Sequence, residues 1–323
     1  MEEGQKSQDT IKWEVYPDVD GRVDVYASST PDSFNLTQAL TSARINDRMA
    51  LIPKFNDNRK YFMLVFDNKQ QVFVTNRKIN VQGVENFRDI GGYSDPDDHV
   101  IQWGKVFRSG DLNKITDAGK VRLKALGIHT IIDLRSNDEK VLEPEEFDCT
   151  KVIELPMKNP VCSEMEKRLQ EGRCLRNDAV IYMQDLFYSY SNKYNDELTD
   201  LFSQLTKPDM YPVLIHCSNG NERAGFVTAM LMKTLEITDD AIYEDYLFSN
   251  SCMDIRKEAR FGEDLTTEGQ EALTVLMSAQ KSYLQYAFEK IKQDNCSIDR
   301  YLQKKLNLTP RKREKIQQIL LTR

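Results

Sequence analysis

Val213-Leu214-Ile215-His216-Cys217-Ser218-Asn219-Gly220-Asn221-Glu222-Arg223-Ala224-Gly225-Phe226-Val227-Thr228-Ala229-Met230-Leu231-Met232 is the stretch from which the fold is read. A β-branched and apolar run, 213–215, leads into a short polar segment holding one glycine, and an apolar run of helical length follows from Ala224. The expected order is strand, tight loop, helix. Such a loop turns backbone N–H groups and a helix N-terminus onto one spot and makes an anion site. Cys217 in that position is expected to have a depressed pKa and to be largely thiolate. Arg223, six positions on, can fork two hydrogen bonds onto an anion such as phosphate. The backbone of Ser218, Asn219, Gly220, Asn221, Glu222 and Arg223 completes the candidate cradle. The rival reading is a buried cysteine and a surface arginine six apart by chance. The coincidence of His216, Cys217, Gly220 and Arg223 with a strand-loop-helix context weighs against it.

Outward from this segment, short strand-like and helix-like runs alternate after about residue 80. Gly119–Leu126 reads as an amphipathic helix with Thr116 as cap, Thr130–Leu134 as a buried strand and Lys151–Leu155 as another. Asp178–Asn192 and Asp196–Leu205 read as helices, the Tyr and Phe stripe of the first as core. Ala241–Ser249, Gly269–Lys292, Ile298–Leu306 and Pro310–Leu321 form a helical tail. Alternation of this kind implies an α/β domain with a mostly parallel central sheet, whose site lies at the carboxyl ends of the strands, where Cys217 falls. Before residue 80 the pattern is β. Ile11–Tyr16, Arg22–Ala27, Tyr61–Asp67 and Gln71–Thr75 are Val-, Tyr- and Phe-containing runs, and Asp67-Asn68-Lys69 suits a hairpin turn. The expected organisation is a β-sandwich-like accessory domain over 1–80, immunoglobulin- or fibronectin-like, followed by the α/β domain over 81–323.

The chain has 323 residues, 40% of them hydrophobic and 29% charged, with a formal net charge of −7. That composition fits one large or two ordinary globular domains. The acidic balance argues against nucleic-acid and membrane-surface binding, so any phosphate site must draw its positive potential locally. No apolar run is long enough to span a membrane. Met1–Ser7 is polar and unlike a secretory signal, which points to the cytoplasm; a trimmed mature form would instead be exported. The six cysteines, Cys149, Cys162, Cys174, Cys217, Cys252 and Cys296, show no metal-ligand spacing, so no structural zinc is expected and buried free thiols are the default. Cys162 and Cys174 flank a polar loop and could pair in an oxidising compartment.

Further segments sharpen the reading. Asn86-Phe87-Arg88-Asp89-Ile90-Gly91-Gly92-Tyr93 is followed by Phe107-Arg108-Ser109-Gly110, then Ile131-Ile132-Asp133-Leu134-Arg135-Ser136, the reactive loop, Asp245-Tyr246-Leu247-Phe248-Ser249-Asn250 and Ser297-Ile298-Asp299-Arg300-Tyr301-Leu302. In this order, over roughly 83–323, the set resembles the bacterial tyrosine/serine protein phosphatase family, with its His-Cys-x-x-Gly-x-x-Arg loop and Asn-Phe-Arg-Asp-(apolar)-Gly-Gly signature. The resemblance implies a cysteine-phosphatase fold with four or five strands and helices on both faces. Read physically, Arg88 and Asp89 could pair and stiffen the Gly91-Gly92 turn. Arg108 either reaches phosphate or braces a loop. Asp133, at the end of an apolar strand, is either a general acid or the fixed partner of Arg135.

The chemistry so implied has two steps. The Cys217 thiolate attacks phosphorus and forms a cysteinyl-phosphate, while loop N–H groups and Arg223 hold the equatorial oxygens. Asp133 or Glu222 protonates the leaving oxygen and then activates water. His216 fixes the loop through ring hydrogen bonds, and no metal or other cofactor is called for. The loop departs from the family pattern at three places. Ala224 stands where a hydroxyl residue commonly follows the arginine, which would slow breakdown of the phospho-enzyme. Asn221 replaces a common lysine, and Glu222 a common aspartate. The expected substrate is a phosphorylated protein (phosphotyrosine, with phosphoserine and phosphothreonine as extensions) or a small phosphomonoester. The alternatives are an inositol phosphate or phosphoinositide phosphatase, and a weakly active or inactive phosphate-binding adaptor using the β domain to dock a partner. Persulfide transfer and arsenate reduction also use a loop cysteine, but the ordered segments do not favour them.

Overall fold

A strand that is apolar on both faces must be covered on both faces, and the three central strands of the larger unit satisfy that rule. The structure is a computed structural model that describes residues 8–55, 59–67, 69–145, 151–158, 161–254 and 265–322, without the side chains of 161–164 and 166. Met1–Ser7, Asn68 and Cys149 lie outside the described residues. The chain divides into two units, Met1–Ile79 and Asn80–Arg323.

The first unit holds six strands and one short 3-10 turn, Ile45–Asp47, among its described residues. Strands β1 (Gln8–Lys12), β2 (Arg22–Ser28), β3 (Thr41–Arg44), β4 (Met49–Pro53), β5 (Tyr61–Phe66) and β6 (Gln70–Thr75) form an antiparallel sheet in the order β3-β2-β5-β6 and a ribbon of β1 with β4. Alternation does the work here. Val23 and Val25 are buried while Arg22 is exposed, and they pack with Ile11, Ile45, Ala50, Ile52, Phe62 and Leu64. The hairpin expected after Asp67 is present as antiparallel β5 and β6, closed by Lys69 N–H donating to Phe66 O at 2.9 Å. Strands β3 and β4 were not legible, because Thr41–Arg44 has a single apolar residue and β4 half buries its own in a short run.

In the second unit β7 (Arg88–Asp89), β8 (Val106–Ser109), β9 (Thr130–Asp133), β10 (Lys151–Glu154) and β11 (Val213–His216) pair in the order β10-β9-β11-β8-β7. All pairs are parallel except β7 with β8. Every residue of β8, β9 and β11 is buried. The helices are α1 (Asp117–Ala125), α2 (Asn137–Leu142), α3 (Val161–Gln170), α4 (Arg176–Lys193), α5 (Asn195–Leu205), α6 (Glu222–Thr234), α7 (Asp239–Cys252), α8 (Thr267–Met277), α9 (Lys281–Asn295), α10 (Ile298–Lys304) and α11 (Pro310–Leu320). Thr116 caps α1 as expected, its hydroxyl accepting from Gly119 N–H at 3.2 Å. None of the described helices is long and apolar enough to cross a membrane.

Two expectations are corrected. The single helix expected over Gly269–Lys292 is two, because Asn250 of α7 intervenes. Its amide donates to Ala279 O at 2.9 Å and accepts from Ala279 N–H at 2.8 Å, so the helix breaks at Ala279 without leaving that residue's backbone unpaired. The segment between Cys162 and Cys174 is mostly the helix α3, and Cys174 is a buried free thiol, so the disulfide is not formed.

Candidate active site

The reactive loop is held where β11 ends. Gly220 has φ of 67°, and a Cβ there would lie 2.4 Å from the Ser109 carbonyl carbon, so only glycine fits between the loop and β8. Helix α6 begins at Glu222 and is buried along its length except near Lys233, so burial of Phe226, Met230 and Leu231 fixes the first turn that carries Arg223. Cys217 and Arg223 are both fully buried.

Arg223 does not point its fork into open space. Its Nη1 and Nη2 donate to Glu139 Oε2 at 2.6 Å and Oε1 at 2.8 Å, Nη1 also donates to Met157 O at 3.0 Å, and Nη2 donates to Ser218 Oγ at 3.1 Å. The Ser218 hydroxyl in turn donates to Glu139 Oε1 at 2.6 Å. Burial alone would raise the Glu139 carboxyl, but these partners hold it down at about 2. Arg223 Nε is buried without a hydrogen-bond partner. Glu139 was missed from the sequence, although Ser136-x-x-Glu139 is a capping-box signature. Ser136 Oγ accepts from Glu139 N–H, and Glu139 Oε2 accepts from Ser136 N–H at 2.7 Å.

The expected depression of the Cys217 pKa is corrected. Burial pushes the thiol up, and the opposing pull of Arg223 and of the Ala224 and Gly220 N–H groups does not overcome it. The physical reason is that the thiol is fully buried, away from the water that would solvate a thiolate, with the Glu222 carboxyl adding to the rise.

On one flank of the loop stand His216, Asp133, Arg135 and Glu145. Asp133 is bonded to Arg135. It accepts from Arg135 N–H at 2.8 Å, Nε at 3.1 Å and Nη2 at 2.9 Å, and against its burial these bonds hold its pKa below the ordinary value. Arg135 Nη2 also stands 2.9 Å from Glu145 Oε2, and Leu112 N–H donates to Glu145 Oε1 at 2.6 Å. Burial nevertheless raises Glu145 to about 7, and no sequence signal singled it out. His216 is kept neutral by burial, at about 4. Its Nε2 lies 3.6 Å from Asp133 Oδ1 and 3.7 Å from Glu145 Oε2. These three side chains have the donor types of a metal site, but the Arg135 cation already bridges the two carboxylates.

On the other flank the expected Arg88–Asp89 pair is corrected. Arg88 Nε donates to Asp245 Oδ1 at 3.2 Å, Nη2 to Asp245 O at 3.0 Å and Ser249 Oγ at 2.9 Å, and Nη1 to Asn86. Asp89 braces the glycine turn, accepting from Gly91 N–H at 2.8 Å and Gly104 N–H at 2.7 Å. Arg108 braces the loop. Its Nη1 donates to Asp245 Oδ2 at 2.7 Å and its Nη2 to Gly220 O at 2.7 Å. Burial, then the charge of Arg88, lowers Arg108 to about 10. Glu222, the first residue of α6, is 4% exposed, and burial raises its carboxyl; its Oε2 and the Tyr190 hydroxyl are buried without hydrogen-bond partners.

Residues 79–322 match the tyrosine phosphatase family. The chain belongs to that family. A Cupriavidus necator protein named as a tyrosine-protein phosphatase is 25% identical over 237 residues, 70% of this chain and 82% of its own. The triple specificity protein phosphatase PtpB of Mycobacterium tuberculosis is 28% identical over 52% of this chain and 67% of its own. The core catalytic domain of the PP-IP phosphatase SIW14 from S. cerevisiae aligns over 67% of this chain and 96% of its own at 16% identity, with a TM-score of 0.31. As a member of the tyrosine phosphatase family the chain is a phosphoric monoester hydrolase acting on phosphorylated substrates.

Proposed function

We propose that this phosphatase works through a cysteinyl-phosphate on Cys217. The observation that carries the reading is the loop itself, where one buried thiol, the Gly220 and Ala224 N–H groups and Arg223 act on the same point. The thiolate attacks phosphorus and the S–P bond forms as the bond to the leaving oxygen breaks. The Nε edge of Arg223 and the loop N–H groups hold the equatorial oxygens. Glu222, rather than Asp133, is the proton donor. Burial favours its protonated form, whereas Arg135 keeps Asp133 ionised. Glu222 then takes a proton from water as that water displaces the cysteine. Ala224 offers no hydroxyl to the departing thiolate, so this second step is the slow one, and a burst of leaving group precedes the steady state.

The substrate is phosphotyrosine protein, with phosphoserine and phosphothreonine as further substrates. Residues 81–323 make the catalytic domain. Residues 1–80 make a sandwich-like accessory domain that docks a partner. The test is p-nitrophenyl phosphate hydrolysis with dithiothreitol and EDTA present. Cys217→Ser is expected to lose activity by roughly three orders of magnitude or more. A folded variant that keeps turning over would overturn the mechanism.

A further inference from the structure

Four consecutive loop carbonyls point away from Cys217 and each has a donor. Ser218 O accepts from Asp111 N–H at 2.9 Å. Asn219 O accepts from the Asn86 amide at 3.0 Å, and Gly220 O from Arg108 Nη2 at 2.7 Å. Asn221 O accepts from Arg108 Nη2 at 3.3 Å and from Gly225 N–H at 3.0 Å. In a trans peptide the C=O and the following N–H point in opposite directions. Fixing these carbonyls outward therefore fixes the N–H groups of Asn219, Gly220, Asn221 and Glu222 inward, where an anion would lie.

Two of the four donors are side chains from distant parts of the chain, and both are anchored. Asn86 has φ of 58°, and Arg88 donates to its carbonyl at 3.3 Å and to its Oδ1, which forces the amide nitrogen toward Asn219 O. Arg88 is itself tied to Asp245 and Ser249 of α7, and Asp245 also holds Arg108.

We infer that Asn86, together with Arg108, is a positioning residue that sets the peptide planes of the phosphate loop and so creates its anion-binding face. The inference rests on the cysteinyl-phosphate reading and adds to it the source of the loop's shape. Neither side chain touches the phosphate. They act through the carbonyls, and Arg88 and Asp245 carry the register from α7 to the loop.

Asn86→Asp isolates the effect. Aspartate tolerates the left-handed backbone and still accepts from Arg88, but it offers no donor to Asn219 O. The measurements are kcat and KM for p-nitrophenyl phosphate over pH, the inhibition constant of inorganic phosphate, and the thermal midpoint. Phosphate inhibition is expected to weaken by about tenfold or more and kcat to fall. The acid limb of the profile should move up in pH as inward N–H groups are lost from the thiolate. Asn86→Gly, which keeps the backbone conformation open, and Arg108→Lys, which keeps the charge but loses the fork, are expected to move the phosphate constant in the same direction. A merely structural role would lower the thermal midpoint and leave the phosphate constant and the acid limb where they were; that result in a folded Asn86→Asp overturns the inference while leaving the catalytic reading intact. A natural protein that neither binds phosphate nor turns over substrate overturns both.

Discussion

The two flanks of the reactive loop carry opposite charge imbalances and resolve them differently. On one, two guanidinium groups, Arg88 and Arg108, share the single carboxylate of Asp245, and all three are buried. On the other, one guanidinium, Arg135, faces two carboxylates, Asp133 and Glu145. Arginine does not readily give up its proton, so the surplus positive charge is directed into backbone carbonyls of the loop. Glutamate can take up a proton, so burial raises Glu145 to about 7, and His216 beside it stays neutral. A buried charge that cannot titrate must be met by dipoles, and one that can titrate is removed by a proton.

The sharpest way to break this contrast is Asp245→Asn. It leaves two buried guanidinium groups without a carboxylate, and a loss of about 3–5 kcal/mol in urea unfolding is expected. A loss below about 1 kcal/mol would show that the carbonyls alone suffice.

Glu145→Gln probes the other flank. The carboxyl is raised in the fold from 4.5 to about 7, so its neutral form contributes stability that is full below about pH 4.5 and lost as pH rises through about 7. The glutamine variant keeps the shape without the charge. It should gain on the order of 3 kcal/mol over the natural protein above pH 7, and the gain should vanish toward pH 4.5. His216 has the opposite sign, its contribution fading as pH falls from 6.5 to about 4, and being common to both proteins it cancels in the difference. A pH-independent difference would remove the assignment of a proton to Glu145.

The smallest effect is expected from Glu139→Gln. Relieved of the carboxylate, Arg223 acts more strongly on the thiol, so the acid limb of kcat/KM and of iodoacetamide alkylation should move to lower pH. A looser arginine should cost about tenfold in kcat/KM. An unmoved limb would mean that Glu139 orients Arg223 without governing its field.

Much of this was legible beforehand. The Arg22–Ala27 strand, the Thr116 cap, and the β11–loop–α6 unit with Gly220 in its loop were all read from neighbouring residues. The Ser136-x-x-Glu139 box could have been read the same way. What was missed depended on partners far along the chain. Asn250 splits a periodic helix pattern by offering a backbone-like amide 29 residues away. Arg88, next to Asp89 in sequence, donates to Asp245, 157 residues on. Glu139 reaches Arg223 across 84 residues, and burial beneath the folded chain reverses the direction expected for the Cys217 thiol.

The sequence by itself determined the strand-loop-helix around Cys217, the α/β order after residue 80 and the family, because periodicity, capping and positive-φ turns are properties of adjacent residues. Only the tertiary structure decided which carboxylates are ionised, which carbonyls the arginines hold and how reactive the thiol is, because those depend on burial and on charges that folding alone brings within hydrogen-bonding distance.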